Sequence, residues 1–293
     1  MKLRPFNILL QYLLPHKWLS HIVGNLSRCQ IKWLKQLLIK CFCAHYRVNL
    51  TEAAYAQPEA YKSFHDFFTR HLQPNARTFD YGANHLLSPV DGTLSQLNLI
   101  KQGSLLQAKE HDYTLHALLG HSQQATLFEK GYGLTFYLAP RDYHRVHMPI
   151  DGQLLQTQYI PGQLFSVNPQ TAEHIPGLFT RNERLVCLFE TDHGSMAVIL
   201  VGAMIVGNIH TTWDGLINPG CQTKDLATVD HRSQNIRLKQ GDELGYFAMG
   251  STVITLLSQS SSTSLQNLPN NIPSQVCVGS CLGYYTTNAQ PTT

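Results

Sequence analysis

Apolar and polar positions divide the chain into two regimes. Up to about residue 75 the apolar residues recur at helical spacing. Phe6, Leu9, Leu10, Leu13 and Leu14 form one stripe, ended by Pro15. Over Ile31–Cys41, a helical wheel at 100° per residue gathers Ile31, Trp33, Leu34, Leu37, Leu38 and Cys41 on one face. Lys32, Lys35, Gln36 and Lys40 fall opposite, and Ile39 is the one apolar residue out of place. Phe64, Phe67, Phe68 and Leu72 repeat the pattern at i, i+3, i+4 and i+8. From about residue 85 short β-branched and aromatic runs take over, punctuated by Gly, Pro, Asn and Asp. They are Leu134–Leu138, Leu154–Ile160, Leu185–Glu190, Ala197–Val201, Met204–His210, Asn235–Leu238 and Tyr246–Leu257, with a short return strand near Val276–Tyr285. The Gln240-Gly241-Asp242-Glu243 turn between two such runs predicts a hairpin. Strands without regularly alternating helices predict a mainly β fold, an antiparallel sandwich or barrel-like body preceded by N-terminal α-helices.

Charge sharpens that division. The 293 residues carry 22 Lys+Arg against 19 Asp+Glu, a formal +3. Eight of the cations (Lys2, Arg4, Lys17, Arg28, Lys32, Lys35, Lys40 and Arg47) precede the first carboxylate, Glu52. The chain therefore reads as a basic amphipathic helical arm, 1–50, on a mildly acidic body, 51–293. Such an arm suits nucleic acid or an anionic membrane. Wide aliphatic faces opposite lysines describe a helix lying in a lipid headgroup layer, and they offer neither stacking platforms nor a recognition helix, so nucleic acid is set aside. The alternative, that the helices simply cover the core of the following domain, stays open on pattern alone. No run of 18 apolar residues exists, so an integral membrane protein is not expected. Asn7 and Gln11 interrupt the first stripe, and no small-residue cleavage site follows before Lys17, against a secretory signal. Seven cysteines without a CxxC or a paired framework fit a reducing compartment and inert thiols.

Three segments carry candidate chemistry. Tyr143-His144-Arg145-Val146-His147 holds two imidazoles three apart; an ordinary histidine pair explains them equally well, and zinc lacks a third ligand, so no metal is assigned. Ser88-Pro89-Val90-Asp91-Gly92 is also ordinary turn chemistry. Gly250-Ser251-Thr252 puts a glycine inside an apolar run, where it marks a kink or a close backbone approach. It is not the GxSxG elbow of hydrolases. Singly, none decides a function.

Taken in order and spacing, these segments resemble the phosphatidylserine decarboxylase proenzymes, the pyruvoyl-dependent family of prokaryotic type. The resemblance runs from about Phe64 to Leu257. It includes Phe67-Phe68-Thr69-Arg70, the Ser88–Gly92 block, Tyr137-Leu138-Ala139-Pro140-Arg141-Asp142 leading into Tyr143–His147, and Gly162–Pro169. It continues through Phe179–Arg184, Val201–Gly207 and Gly241–Phe247 to Gly250-Ser251-Thr252. Val90 stands where an alanine is common and Met249 where leucine often precedes the Gly-Ser-Thr; both replacements are apolar.

The resemblance implies that 51–293 is a catalytic domain, decarboxylating phosphatidylserine to phosphatidylethanolamine and CO2 as a lyase that makes its own cofactor. Self-cleavage at Gly250-Ser251 would yield a β chain of 1–250 and an α chain of 251–293 held together as a heterodimer, with further homo-oligomerisation left open. Ser251 becomes a pyruvoyl group, the covalent pyruvate that condenses with the substrate amine and serves as electron sink. His147 is the implied base for cleavage, Asp91 its orienting carboxylate, His144 the proton donor in turnover, and Ser166 a contact for the substrate head group. His144 suits its role because imidazole ordinarily titrates near neutrality. Glu183 and Arg184 read as an internal ion pair. The lipid substrate implies a peripheral enzyme on the cytoplasmic side of the cell membrane, bound to an anionic surface. Two rivals remain: a Ser-His-Asp hydrolase using intact Ser251, and a lipid-surface binding protein without the chemistry.

Overall fold

The computed structural model describes residues 11–12, 16–108, 111–120, 123–204, 209–217, 225–248, 251–259 and 263–287. The Phe6–Leu14 stripe, Gly250, Met249 and the segment 205–208 lie outside the described residues. The body is a set of antiparallel sheets, and among the described residues none closes on itself as a barrel. The largest sheet orders its strands as Ala227–Asp230, Gly152–Ile160, Arg184–Thr191, Gly194–Val201, Ser251–Leu257, Tyr132–Leu138, Gly92–Leu99 and Ser274–Val276. A ninth, Arg237–Leu238, adds to Gly152–Ile160. Its central strands are rich in Val, Ile, Leu and Phe because both faces are covered: Thr252 through Leu257 are all buried, as are Arg184 through Phe189. Strand 251–257 pairs residue for residue with a neighbour on each side, Thr252 opposite both Tyr137 and Val201.

A second sheet of four strands runs Gly215–Ile217, Ile209–Thr211, Glu243–Phe247, Arg145–His147. The apolar run Tyr246–Leu257 is therefore two strands rather than one, with Glu243–Phe247 in the small sheet and Ser251–Leu257 in the large one. Ser251 is thus the first residue of its strand in the large sheet, and Met249 and Gly250 before it lie outside the described residues. The Gln240–Glu243 turn differs from expectation for the same reason. Gly241 does take the left-handed conformation (φ 85°), but the flanking strands belong to different sheets, so the turn is a crossing and not a hairpin. Periodicity sees apolar runs; it does not see which sheet receives each half.

The arm contributes the helices His16–Ser27 and Lys32–Tyr46, the second ended by Arg47 in the left-handed region. The helical phase expected over Ile31–Cys41 is observed, but the helix docks by its misfit. Ile39 is fully buried, and Lys35 is buried with its ammonium donating to the carbonyls of Glu59 and Tyr61. Trp33 (67% exposed) and Leu37 (53% exposed), one turn apart, point outward with Ile31, and Ile22 and Leu26 do the same on the first helix. Ile39 joins Tyr61, Phe64, Phe67 and Phe68 in a small core separate from the main one. Phe64–Phe68 is a short helix capped by Ser63, whose hydroxyl accepts the Asp66 N–H at 3.2 Å; the helix ends before Leu72.

Gly92 opens its strand at φ 153°, and a Cβ there would sit 2.4 Å from the Tyr137 carbonyl oxygen. Gly92→Ala is expected to cost roughly 1–3 kcal/mol, read as a lowered urea midpoint at unchanged m-value.

Candidate active site

One end of the large sheet gathers the candidates, and strand direction decides which end. Ser251 begins its strand opposite Leu138, where the Tyr132–Leu138 strand finishes and the chain turns through 139–143 to His144 and His147. Gly92, next to Asp91, begins its strand on the other side of that same end, and Thr93 faces Tyr137. Val201 finishes there opposite Thr252 and Arg184, and Ile160 opposite Arg184, just before the loop that carries Ser166. Adjacent strands lie about 4.8 Å apart, so Ser251 and the Asp91-Gly92 turn are roughly 10 Å apart through the backbone. A cavity of about 590 Å³ bordered by Asp151 and Asp192 lies at the opposite strand ends and is not this site.

His147 sits in the short strand Arg145–His147, its N–H bound to the Pro89 carbonyl at 2.8 Å, which ties it to the Ser88–Gly92 turn. Its Nδ1 lies 2.8 Å from the Gly241 carbonyl and must carry the proton there, so Nε2 presents a lone pair to the Tyr143 hydroxyl at 3.1 Å. Burial holds its pKa below the usual imidazole value; the Gly241 bond and the negative charges of Glu243 and Asp91 oppose that shift, while Arg145 adds to it.

Asp91 does not orient His147. Its carboxylate takes Nε (3.1 Å to each oxygen) and Nη2 (2.6 Å) of Arg77, and the Val278 N–H at 2.8 Å. A guanidinium fork matches a carboxylate in charge and shape, and a neutral ring does not compete with it. Asp91 thus acts on His147 as a nearby fixed charge, and the Gly241 carbonyl does the orienting. Arg77 also pairs with Glu52 at 2.6 Å; its hydrogen bonds to Asp91 raise its pKa most, and the Glu52 pair adds to this. Arg77 was not visible as a site residue in the sequence; the available signal was only that a buried aspartate needs a cation.

His144 is fully buried, its ring stacked on Phe68 at 4.2 Å and its carbonyl accepting the Phe247 N–H at 3.1 Å. Among the described residues neither ring nitrogen has a hydrogen-bond partner. Burial pushes its pKa down to about 3, and the nearby positive charge of Arg70 pushes the same way. The carbonyls of Pro140 and Ala139 pull weakly against this without making hydrogen bonds to the ring. The imidazole is therefore neutral at rest, which removes the expectation that it waits near neutrality with a proton to give. Arg70 and Arg145 are staples here. Arg70 donates to the carbonyls of Arg141 and Asp142, and Arg145 donates to that of Thr69 and pairs with Glu243 at 2.6 Å.

Ser166 lies on a half-buried loop tied to the site end by Asn182, which accepts from the Phe165 N–H and donates to the Phe165 and Gly202 carbonyls. Arg184 spends its guanidinium on the carbonyls of Ala117, Leu118, Thr180 and Asn182, rather than on Glu183. Gly250 lies outside the described residues, so the structure places the junction only by its flanks, Ala248 and Ser251.

Comparison with known proteins matches residues 64–283 to the family described as phosphatidylserine decarboxylase, and residues 6–47 to a second family described as PSD. The chain belongs to the phosphatidylserine decarboxylase family. Its relatives include the phosphatidylserine decarboxylase proenzyme of Methylobacillus flagellatus, 48% identical over 90% of this chain and 93% of the relative. That of Shewanella putrefaciens is 50% identical over 86% and 88%, and that of Stutzerimonas stutzeri 44% over 97% and 95%. For a phosphatidylserine decarboxylase, the notable feature of this site is that both histidines are held neutral while the carboxylate beside them is already paired.

That neutrality has a signature in stability. An unfolded His144 takes up a proton near pH 6.5, whereas the native ring does so only near pH 3, so the native state loses stability as pH falls through that window. His144→Phe is expected to reduce the slope of unfolding free energy between pH 6 and 4 by about 1.4 kcal/mol per pH unit, measured by urea melts.

Proposed function

We propose that this chain is a self-cleaving proenzyme that decarboxylates phosphatidylserine to phosphatidylethanolamine at an anionic membrane surface. The observation that carries the reading is the gathering of Asp91, His144, His147 and the start of the Ser251 strand at one end of one sheet, beside the loop of Ser166. For maturation, the Ser251 hydroxyl attacks the Gly250 carbonyl carbon while His147 Nε2, released by Tyr143, takes its proton. The peptide bond becomes an ester. Loss of the Ser251 Cα proton then breaks the Cβ–O bond, leaving Gly250 as a carboxylate and residue 251 as dehydroalanine. Water hydrolyses this to a pyruvoyl group with release of ammonia. Gly241 keeps the His147 ring in the required tautomer, and the Arg77-held charge of Asp91 favours the imidazolium that forms.

The residues present fit a pyruvoyl group, because a buried imidazole whose two nitrogens have no partner among the described residues is an unsatisfied site that a reacting group completes. When formed, that group supplies the electron sink for loss of the carboxylate as CO2. His144 then does the proton work. An anionic substrate carboxylate arriving against the neutral ring raises its pKa, so the ring gains a proton on binding and yields it to carbon after CO2 leaves. Ser166 contributes its hydroxyl to the head group.

Support for the membrane comes from the arm. Trp33, Leu37, Ile31, Ile22 and Leu26 face outward where a helix that only covered a core would bury them. Among the described residues no helix is long and apolar enough to cross a membrane. A peripheral position on the cytoplasmic face, held by apolar insertion and by cations of the arm at about 1 kcal/mol each, accounts for both facts.

Ser251→Ala is expected to remain one 33.0 kDa chain without activity. His147→Ala should process slowly, while His144→Ala should process and fail to release CO2 from carboxyl-labelled phosphatidylserine. Trapping by phenylhydrazine marks the decarboxylase, whereas an uncleaved chain labelled by a fluorophosphonate would mark a hydrolase. An intact, unlabelled chain that binds vesicles would mark a lipid-binding protein.

Trp33→Glu/Leu37→Glu should lower affinity for phosphatidylserine-containing vesicles by roughly 10- to 100-fold in co-sedimentation, with processing unchanged.

A further inference from the structure

The arm reaches the substrate loop as well as the solvent. Gln11, 7% exposed, accepts the Ser166 N–H on Oε1 at 3.0 Å and donates from Nε2 to the fully buried Thr171 hydroxyl at 3.4 Å. Next to it the Tyr12 ring lies 5.2 Å from the Phe165 ring, and the Arg181 guanidinium stands over both, 5.6 Å from Tyr12 and 4.9 Å from Phe165. On the inner side Asn182 satisfies both backbone groups of Phe165. The Phe165–Ser166 pair is thus gripped from two sides, by Asn182 from the sheet and by Gln11 with Tyr12 from the arm, across 155 residues of sequence.

We propose that Gln11 and Tyr12 are positioning residues for the Phe165–Ser166 loop, so that the arm sets the geometry of the head-group site in addition to holding the enzyme on a bilayer. The inference rests on the reading of Ser166 as a head-group contact. Its physical basis is a backbone N–H in an irregular loop, whose direction is fixed only while its acceptor stays in place. Without Gln11 the Ser166 N–H turns to water, and the hydroxyl of the same residue loses its fixed aim. The same segment leads into the helices whose apolar residues face outward, so contact with lipid and the shape of the substrate loop are joined through one piece of chain.

The test uses the mature full-length enzyme and dihexanoyl phosphatidylserine below its micellar concentration, a monomeric substrate for which tethering to a bilayer is irrelevant. Gln11→Leu is expected to raise KM for this substrate roughly three- to tenfold, with kcat within about twofold and self-cleavage complete. Tyr12→Ala should do likewise, and Tyr12→Phe, which keeps the ring against Phe165, should restore KM. Unchanged KM for the monomeric substrate in both Gln11→Leu and Tyr12→Ala overturns the proposal, and loss of vesicle activity alone would show that the arm is a tether only. Should Gln11→Leu stall as precursor, Tyr12→Ala is read by the same criterion. Ser166→Ala separates the underlying reading: a raised KM supports the head-group role, and an unchanged KM removes it. A raised KM in the arm variants beside an unchanged Ser166→Ala still supports positioning of the loop, acting through another of its groups.

Discussion

The structure depends on where its central strand begins. Strand 251–257 lies between two neighbours and is paired along both edges, so the backbone at Ser251 is fixed from Leu138 on one side and, one residue on, from Val201 on the other. A residue held that way can present a reacting atom repeatedly to the same surroundings. Everything else in the site is arranged around that fixed point. The 139–143 turn brings in the histidines, the Ser88–Gly92 turn brings in a charge, and the Gly202 backbone anchors the Ser166 loop through Asn182.

Much of this was legible from residue order alone. The helical phase of Lys32–Tyr46, the β character of the body and the segments of the site all follow from spacing and from the family resemblance. What escaped was whatever depends on a partner distant in sequence. The Ile39 misfit reads as noise on a wheel, yet it is the docking contact, because the helix meets Tyr61 and Phe67 through a stripe too narrow for periodicity to register. The run Tyr246–Leu257 reads as one strand because apolar content cannot reveal that its halves join different sheets. Asp91 reads as a partner for histidine because a motif does not show that Arg77, 14 residues earlier, has claimed it.

The same limit applies to protonation. An isolated histidine suggests a group ready at neutral pH; the stack against Phe68 and the nearness of Arg70 make His144 a neutral one. The arginines show a parallel economy. Arg70, Arg145 and Arg184 all donate to backbone carbonyls, pinning turns and loops around the candidate site. Cations that look like candidates for binding an anionic lipid are, at these positions, structural cross-links.

The interleaving of the carboxy-terminal strands changes the nature of unfolding. Residues after 250 supply the middle of the large sheet, its edge strand Ser274–Val276 and the strand Cys281–Thr287 that pairs with His85–Leu87. In the precursor these contacts form within one molecule, and melting is unimolecular. After scission at the proposed junction, the same contacts belong to an assembly of two polypeptides, and recovery from denaturation requires the pieces to meet again in solution. Maturation thereby turns a protein able to regain its shape at any dilution into one whose recovery depends on concentration, with a short uncharged fragment free to be lost each time the sheet opens.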